Sequence, residues 1–491
     1  MDSIFEAVLY LVIAVALVQS LLLLVQSREN RRFATGRIRK ADEKPVVGRV
    51  AVFVPCKGLD LELAENLRPL FEQDHDNYEL IFIIEDEHDP AWETIRNLVC
   101  EYPRAEARVT FVGRATESGQ KVHNLRMATS SLSPRVDILA FVDSDARPRT
   151  NWLRLLTHRL DQPEIGAATG YRWFVPARPT LTNWLLYSIN ASVAALLGPG
   201  GHHLLWGGSW AIRREVFESC GLNEAWYGTL SDDLVASQAL RRAGLRIEFE
   251  PGCMLASPLD VDGPQLFEFL RRQYVMGRFY APLLCGVALL CVSLTNLAFL
   301  AAATLATTGL IAGDIEAWLF LLAAAALLGL PMLRGLIRRR MARVYLPEHF
   351  ATLRGAIWFD VLAAPLVSFV NWLGLVSSRF GHQVVWRGVR YQIFPGGQIR
   401  MLLRLPPPGR NEAARLLPAP KPPAVPMQPA VPILRDAARC QPVPHNLRRG
   451  ELVPGDVAAP KTRAAGAAAD PAAATDDASV SRGEVDPRAA A

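Results

Sequence analysis

The chain has 491 residues, half of them hydrophobic, and a formal net charge of +5 at pH 7. A chain of this length and apolar content buries more than one large core, so it is neither a short binding module nor a disordered, collagen-like or disulfide-scaffold protein. The seven cysteines form no Cys-x-x-Cys pair. This spacing argues against a zinc site and an extracellular disulfide framework, and it favours a reducing compartment.

An uncharged run near the N-terminus predicts a membrane anchor. Residues 7–25 are long enough to cross a bilayer, and a cluster of basic residues follows them between Arg28 and Lys40. Because the positive charge comes after the apolar run and no cleavage signal follows, we interpret residues 1–27 as a retained transmembrane anchor with its C-terminal side in the cytoplasm. Most of the excess positive charge lies beside apolar runs in this way, so we expect no nucleic-acid partner.

Short apolar stretches alternate with amphipathic ones in the middle of the chain. The stretches typical of β-strands are Val50–Pro55, Tyr78–Ile84, Arg108–Val112 and Ile138–Val142. Their alternation with helical patterns predicts an α/β fold with a largely parallel sheet. In such sheets the residues just after the carboxyl ends of strands face the ligand crevice, which draws attention to Glu85-Asp86 and to Asp143-Ser144-Asp145.

Two further uncharged runs predict a transmembrane helical hairpin at residues 279–336. Arginines between Arg334 and Arg343 follow the second run, which agrees with a return to the cytoplasmic side. Within residues 337–400, the uncharged segment 361–378 contains a proline and an asparagine. It is therefore either a third span or an interfacial or re-entrant helix.

The composition changes again at the C-terminal end. Residues 405–491 contain 16 of the 35 prolines and no aromatic residue. Such a segment cannot bury enough apolar surface to form a core, so we expect a disordered tail rich in proline and alanine.

Carboxylates form three groups of possible chemical importance. Asp143 and Asp145 suit a hard divalent cation, because Mg²⁺ or Mn²⁺ is usually held by one or two carboxylates together with substrate phosphates, although a simple helix-capping turn is the alternative. Residues 85–89 hold four acids in five positions, which indicates either a cation partner or a solvated loop. Asp232 and Asp233 open a predicted helix, where one carboxylate is either a cap or a general base.

Basic residues add a second set of candidates. Arg271 and Arg272 precede the predicted hairpin, where arginines contact lipid head groups or, alternatively, clamp a diphosphate. Lys57, Lys121 and Arg172 lie in polar loops, and each alone is either a surface charge or a ligand.

The order of these motifs resembles that of the inverting family 2 type glycosyltransferases, and most nearly that of the ceramide glucosyltransferase family (family 21) with its bacterial relatives that glycosylate hopanoids. The resemblance runs from about residue 47 to residue 400 and includes seven motifs in one order. They are Val54-Pro-Cys-Lys-Gly58, Glu85-Asp-Glu-His-Asp-Pro-Ala91, Lys121-Val-His-Asn124, Asp143-Ser-Asp145, Gly207-Gly-Ser209, Ser231-Asp-Asp233 and Trp386-Arg-Gly-Val-Arg-Tyr391.

The resemblance implies a cytoplasmic GT-A catalytic domain, a nucleotide-sugar-binding α/β fold, at residues 47–278, with an N-terminal anchor and C-terminal transmembrane helices. It implies that Asp233 is the catalytic base and that Mg²⁺ or Mn²⁺ binds at Asp143 and Asp145. The residues implied at the nucleotide and its diphosphate are Lys57, Asp86, Lys121, Asp143 and either Arg271 or Arg272. The family's motif at these arginines occurs here in a shifted frame, as Arg271-Arg-Gln-Tyr274.

The predicted protein is an integral, multi-pass enzyme of a bacterial inner membrane. It is expected to move a hexose from a UDP-sugar to a hydroxyl of a ceramide-like membrane lipid. UDP-glucose is the expected donor. Transfer of N-acetylglucosamine to a hopanoid, a processive polysaccharide synthase and a non-catalytic membrane scaffold are the alternatives. The small number of apolar segments argues against the synthase. Asp143, Asp145 and Asp233 together argue against the scaffold.

Overall fold

The computed structural model describes residues 2–40 and 48–404, with side chains from residue 6 onward. The predicted disordered tail, residues 405–491, lies outside the described residues. The chain begins with helix α1, Asp2–Arg39, which contains the apolar run predicted to be an anchor.

A seven-stranded sheet forms the centre of the molecule. Its strands are β1 (Val50–Pro55), β2 (Tyr78–Ile84), β3 (Ala107–Phe111), β4 (Ile138–Val142), β5 (Ile165–Pro176), β6 (Ser209–Arg213) and β7 (Arg246–Leu259). The strand order is β3-β2-β1-β4-β6-β5-β7, and only β6 runs antiparallel to its neighbours. The predicted α/β fold with a largely parallel sheet is confirmed.

The central strands are continuous apolar runs because both faces of the sheet are covered. In β1, Val50, Val52 and Val54 belong to one hydrophobic core, while Ala51 and Phe53 belong to the core on the opposite face. Helices cover the two faces. They are α2 (Leu63–Leu67), α3 (Ala91–Glu101), α4 (Gln120–Thr129), α5 (Trp152–Thr157), α6 (Leu181–Ala194), α7 (Arg214–Ser219), α8 (Leu222–Ala225), α9 (Asp232–Arg242) and α10 (Gly263–Tyr280).

Three helices in the described part of the chain are long and apolar enough to cross a membrane, or up to four spans if a bent helix pair counts as one. They are α1, α11 (Pro282–Ala312) and α12 (Ala317–Tyr345), and the last two form the predicted hairpin. Alanines at the contact, including Ala16, Ala298 and Ala302, are fully buried. Small side chains of this kind let helices approach closely in a lipid environment.

The segment predicted to be a third span or an interfacial helix is bent. Helices α13 (Arg354–Leu362) and α14 (Ala364–Ser377) meet at an angle of 83°. Asp360 of α13 accepts two hydrogen bonds of 2.8 Å from the buried guanidinium of Arg338 in α12. This bidentate pair ties the bent helices to the hairpin.

The end of the described chain returns to the seven-stranded sheet and its helices as a small antiparallel sheet. Strands β8 (Gln383–Trp386), β9 (Val389–Ile393) and β10 (Ile399–Arg404) are ordered β10-β9-β8. Val384, Val389 and Ile393 are buried in the same core as Ala51 and Phe53 of β1. The motif at residues 386–391 is therefore joined to the seven-stranded sheet by apolar packing.

Candidate active site

Lys121 is the centre of one cluster of predicted residues. Its Nζ lies 2.7 Å from Asp143 Oδ1 and 3.2 Å from Asp232 Oδ1, and it donates to the carbonyl oxygen of Gly207 at 3.1 Å. A Cβ at Gly207 would lie only 2.7 Å from Nζ, so a side chain at this position would push the ammonium away from the backbone. Burial opposes the charged ammonium, but Asp143, Asp232 and Asp233 outweigh it and raise the pKa of Lys121.

Asp143 directly follows β4, and Asp145 lies two residues further along the same loop, as the strand pattern predicted. Desolvation acts against the Asp143 carboxylate, yet Lys121 and Arg172 overcome it and hold the pKa of Asp143 below its usual value. Asp145 is 3.3 Å from Arg172 Nη1 through Oδ2, while its Oδ1 is buried without a hydrogen-bond partner among the described residues. Desolvation, together with Asp143 and Asp60, outweighs Arg172 and raises the pKa of Asp145.

Three arginines from distant parts of the sequence gather around Asp145. Arg172 of β5 lies 4.9 Å from the ring centre of Trp206, and Arg272 of α10 lies 5.5 Å from that of Trp386. Desolvation, and repulsion from Arg172 and Arg387, lower the pKa of Arg272 to about 10, with Asp145 acting in the opposite direction. Cations held this close together favour an anion between them.

Arg387 reaches the cluster from the tip of the β8–β9 hairpin. The two loop residues, Arg387 and Gly388, have φ angles of 49° and 72°. Positive φ at both positions matches the type I′ turn that two-residue hairpins favour, although arginine is an uncommon residue there. Arg387 forms an ion pair with Asp60, which also accepts a hydrogen bond of 2.6 Å from Ser144. Burial opposes its charge, but Asp60, Asp145 and Asp143 raise the pKa of Arg387.

A second cluster surrounds the buried carboxylate of Glu85, after β2. Lys57 Nζ lies 2.7 Å away, Arg114 Nε lies 2.9 Å away, and Arg404 of β10 donates two hydrogen bonds of 2.9 and 3.0 Å. Desolvation raises the pKa of Glu85, but Lys57 and Arg404 outweigh it, so the net pKa is lowered. The predicted neighbour Asp86 points outward, with 41% of its side chain exposed, and accepts from the backbone of His88.

The two aspartates that open α9 have different surroundings. Asp233 is half-buried, and its carboxylate accepts hydrogen bonds from Gly207 N–H at 2.9 Å, Leu234 N–H at 2.8 Å and the Ser231 hydroxyl at 2.5 Å. Asp232 is 2% exposed, and its Oδ2 has no hydrogen-bond partner among the described residues. Desolvation, with Asp233 and Asp143 adding to it, outweighs Lys121 and raises the pKa of Asp232 to about 7.

The two predicted arginines of α10, Arg271 and Arg272, also have different surroundings. Arg272 faces the cluster, whereas the guanidinium of Arg271 donates at 2.8 Å to the carbonyl oxygens of both Ser377 and Phe380. Arg271 therefore holds the end of α14 and lies apart from the aspartates.

Sequence reasoning placed neither Asp60 nor Arg404 among the site residues, and it gave Arg387 no role beyond its motif. Asp60 follows β1 by five residues, and its position after a parallel strand is a signal that could have found it. The two arginines carry no such local signal, because they enter the site only through packing of the second sheet.

Comparisons with known proteins identify the family. Residues 8–399 match the sequence model described as Glycosyl transferase family 21. Ceramide glucosyltransferase 1 of Caenorhabditis elegans is 33% identical over 89 residues, which is 18% of this chain and 19% of the relative. Ceramide glucosyltransferase of Komagataella phaffii is 35% identical over 105 residues, which is 21% of this chain and 20% of the relative. The chain thus aligns with about a fifth of the length of these curated relatives.

Among solved structures, the mannosyltransferase PcManGT from Pyrobaculum calidifontis, in complex with GDP-Man and Mn²⁺, aligns with 73% of this chain and 99% of its own at 18% identity and a TM-score of 0.40. The family match covers most of the chain, including the sheet and the apolar helices, and it confirms the resemblance found in the motifs. The matched residues comprise a largely parallel α/β sheet accompanied by apolar helices. The chain belongs to glycosyl transferase family 21 and is a glycosyltransferase similar to ceramide glucosyltransferases.

Proposed function

We propose that this enzyme transfers a hexose from a UDP-sugar to the hydroxyl group of a membrane lipid, with inversion at the anomeric carbon. The observation that carries the proposal is the convergence of Arg172, Arg272 and Arg387 beside Asp143 and Asp145. Three guanidinium groups around two carboxylates suit a ligand that carries both phosphate oxygens and a metal ion.

The donor binds along the carboxyl edge of the parallel strands. The uridine lies near Lys57 and Glu85, and the diphosphate lies between Lys121 and the three arginines, where the charges of these residues hold it. Planar guanidinium groups bind phosphate oxygens in pairs, and Arg172 and Arg272 are already oriented by aromatic rings. Arg271 has no place in this proposal, since its donors are used by backbone carbonyl groups.

The residues present fit a divalent cation. Asp145 has an unpartnered buried oxygen, and its neighbours Asp60 and Asp143 add negative charge. Within residues 2–40 and 48–404, no three His, Cys, Asp or Glu side chains form a metal-binding group. Diphosphate and water oxygens would complete the coordination at Asp143 and Asp145. A bound Mg²⁺ or Mn²⁺ supplies neutralisation of the negative charge that develops on the departing UDP.

The acceptor approaches from the side of the apolar helices. Tyr171 lies near both Asp233 and Tyr274 of α10, and the Tyr274 hydroxyl donates to Asn371 of α14. Polar groups thus connect Asp233 with the bent helix pair. An apolar cluster lies beside them, formed by α6, α10 and α14 and including Leu186, Leu270 and Val367. A lipid placed here has its chains in apolar surroundings and its hydroxyl near Asp233.

Asp233 removes the proton of the acceptor hydroxyl as the oxygen attacks the anomeric carbon. Its three hydrogen-bond donors fix the direction of the carboxylate, which a general base requires. Asp232 is more deeply buried and pairs with Lys121, so its role is to hold the ammonium in place. Arg172, Arg272 and Arg387 stabilise the charge on the leaving diphosphate.

The same proposal includes the domain arrangement. Residues 1–27 anchor the protein, residues 47–278 form the cytoplasmic catalytic domain, and residues 279–336 cross the membrane twice. In residues 337–400, the bent pair α13–α14 is re-entrant or interfacial, because a bend of 83° and a charged residue suit a helix pair covered by protein better than a lipid-exposed span.

The experiment uses membranes that contain the full-length protein. They are incubated with UDP-glucose or UDP-N-acetylglucosamine and Mg²⁺ or Mn²⁺, and the extracted lipids are measured by mass spectrometry. A mass gain of one hexose or N-acetylhexosamine on a lipid is expected, and the Asp233→Asn variant should lose at least ~100-fold of the rate while it still binds UDP. Full activity of Asp233→Asn, or formation of polymer in place of a glycosylated lipid, would contradict the proposal.

A further inference from the structure

A basic cavity lies at the end of the apolar hairpin, where α12 meets α13. Its volume is about 310 Å³. Three arginines, two aromatic residues and one isoleucine line it, namely Arg339, Arg343, Phe350, Arg354, Ile357 and Trp358. None of these residues has a part in the proposed transfer reaction.

Aromatic rings orient two of the arginines. The guanidinium carbon of Arg339 lies 5.0 Å from the ring centre of Trp358, and that of Arg343 lies 4.7 Å from the ring centre of Phe350. A guanidinium that stacks on a ring keeps its N–H groups, which lie in its plane, free to donate. The cavity therefore presents fixed donors.

No acidic side chain in the described part of the chain forms an ion pair with these three arginines. The carboxylates nearby have other partners: Glu348 lies 2.9 Å from Arg149, and Asp360 binds Arg338 at 2.8 Å. Helix α13 adds to the positive potential, because its N-cap residue, Leu353, provides no side-chain cap for the first N–H groups. The cavity is thus lined by three guanidinium groups without an acidic partner among the described residues, a lining that suits an anion.

The cavity lies at the level expected for lipid head groups. Arg339 comes six residues after Leu333, the end of the uncharged run, so its Cα lies about 9 Å beyond that residue along the helix. Side chains of a helix lean toward its N-terminus, which brings the Arg339 guanidinium back toward the bilayer. Trp358, which lines the cavity, is 43% exposed, and Leu362, one helical turn further along α13, is 64% exposed. Exposed aromatic and aliphatic side chains beside arginines are typical of the boundary between head groups and acyl chains.

We propose that this cavity binds the phosphate of an anionic phospholipid head group, as a site separate from the acceptor site. The inference rests on the membrane embedding in the proposed function and not on the transfer chemistry. Guanidinium groups of Arg339, Arg343 and Arg354 hold the phosphate oxygens, and the exposed apolar residues beside them contact the acyl chains. A soluble phosphate compound has the same charge but lacks those chains, so it binds much more weakly.

Native mass spectrometry of the delipidated full-length protein in detergent tests this inference. Phosphatidylglycerol is titrated against phosphatidylcholine, with glycerol 1-phosphate as the soluble probe. Arg339→Lys should weaken phosphatidylglycerol binding roughly tenfold, because lysine keeps the charge but loses the planar donors and the stacking. Arg340→Lys is the matched control, since Arg340 is exposed on another face of α12 and does not line the cavity.

Specific binding of one phosphatidylglycerol, reduced in Arg339→Lys and unchanged in Arg340→Lys, is the expected result. Equal affinity of the wild-type protein and Arg339→Lys would show that diffuse positive charge binds the lipid, and it would overturn the inference. Equal binding of glycerol 1-phosphate would overturn the assignment to a phospholipid. Because the readout is lipid binding, these results remain separate from success or failure of sugar transfer.

Discussion

Replacing Arg387 with glycine separates the functional role of this residue from its structural cost. Arg387 occupies a turn position with a φ of 49°, where a residue with a side chain is strained by roughly 1–2 kcal/mol. Its guanidinium pairs with Asp60 and lies near Asp143 and Asp145. A strained residue at the tip of a hairpin that reaches an acidic cluster is expected to contribute to function more than to stability.

The expected effects on stability nearly cancel. Relief of the strained turn stabilises the variant by about 1–2 kcal/mol. Glycine has more freedom in the unfolded chain, which costs roughly 0.5–1 kcal/mol, and loss of a partly exposed ion pair costs about 0–1 kcal/mol. The free energy of unfolding should therefore change by less than about 1 kcal/mol. Loss of charge-assisted hydrogen bonds to a diphosphate costs about 1.5–3 kcal/mol, so kcat/KM for the UDP-sugar should fall roughly 10- to 150-fold.

The assay combines initial rates at several UDP-sugar concentrations with thermal unfolding in the same detergent. Arg390→Ala serves as the control, because Arg390 is an exposed residue of the same hairpin. Two results would refute the reasoning: transfer by Arg387→Gly at the wild-type rate, or a loss of activity matched by an equal loss in Arg390→Ala. A large fall in unfolding temperature for Arg387→Gly alone would show that the pairing of Arg387 with Asp60 is mainly structural, and it would contradict the assignment of this cation to the diphosphate.

Three further predictions concern contacts away from the hairpin tip. Truncation after Arg404 should preserve transfer. Arg404→Gln, in contrast, should lower both activity and unfolding temperature, because it removes two hydrogen bonds from the buried carboxylate of Glu85. The exposed Arg400→Gln is the control in the same rate and melting assays. The raised pKa of Asp232, about 7, means that its ionisation destabilises the folded state, so in metal-free buffer the wild-type protein should lose stability relative to Asp232→Asn as the pH rises from about 4 to about 7, and an unchanged difference between their melting curves would contradict this. Asp360→Asn should destabilise the protein by about 3–5 kcal/mol, because it leaves the buried Arg338 unpaired, and the double variant with both residues made apolar should recover part of that loss in thermal unfolding.

Local pattern was sufficient for the strands that carry the site. The bounds of β1, β2 and β4 agree with those expected from sequence, because continuous buried apolar runs end at polar residues. Strand β3 begins one residue earlier than expected and ends at Phe111, which is 36% exposed. It lies at the edge of the sheet, where burial constrains the sequence less strongly.

The candidate site was predictable only where its residues follow a strand or begin a helix. Asp143 and Asp233 have such positions, and their proximity to Lys121 follows from the topology of the sheet. Arg387 and Asp60 are 327 residues apart, and their pairing depends on how the second sheet packs against the first. A pattern read over short windows contains no information on that contact, although the motif order identified the family to which it belongs.

The position of Arg271 has a consequence for how the apolar helices and the active site work together. Arg271 binds the carbonyl groups of Ser377 and Phe380 at the end of α14, while the next residue, Arg272, faces the cluster around Asp145. Strand β8 begins only six residues after α14 ends, and its hairpin delivers Arg387 to the same cluster. Two arginines of the proposed diphosphate site are thus attached, by short connections, to the helix pair beside which the proposed acceptor lipid binds. If the proposed acceptor displaces α14, these contacts will carry the displacement to the cations around the donor, so the proposed function predicts that lipid binding alters the geometry at the leaving group.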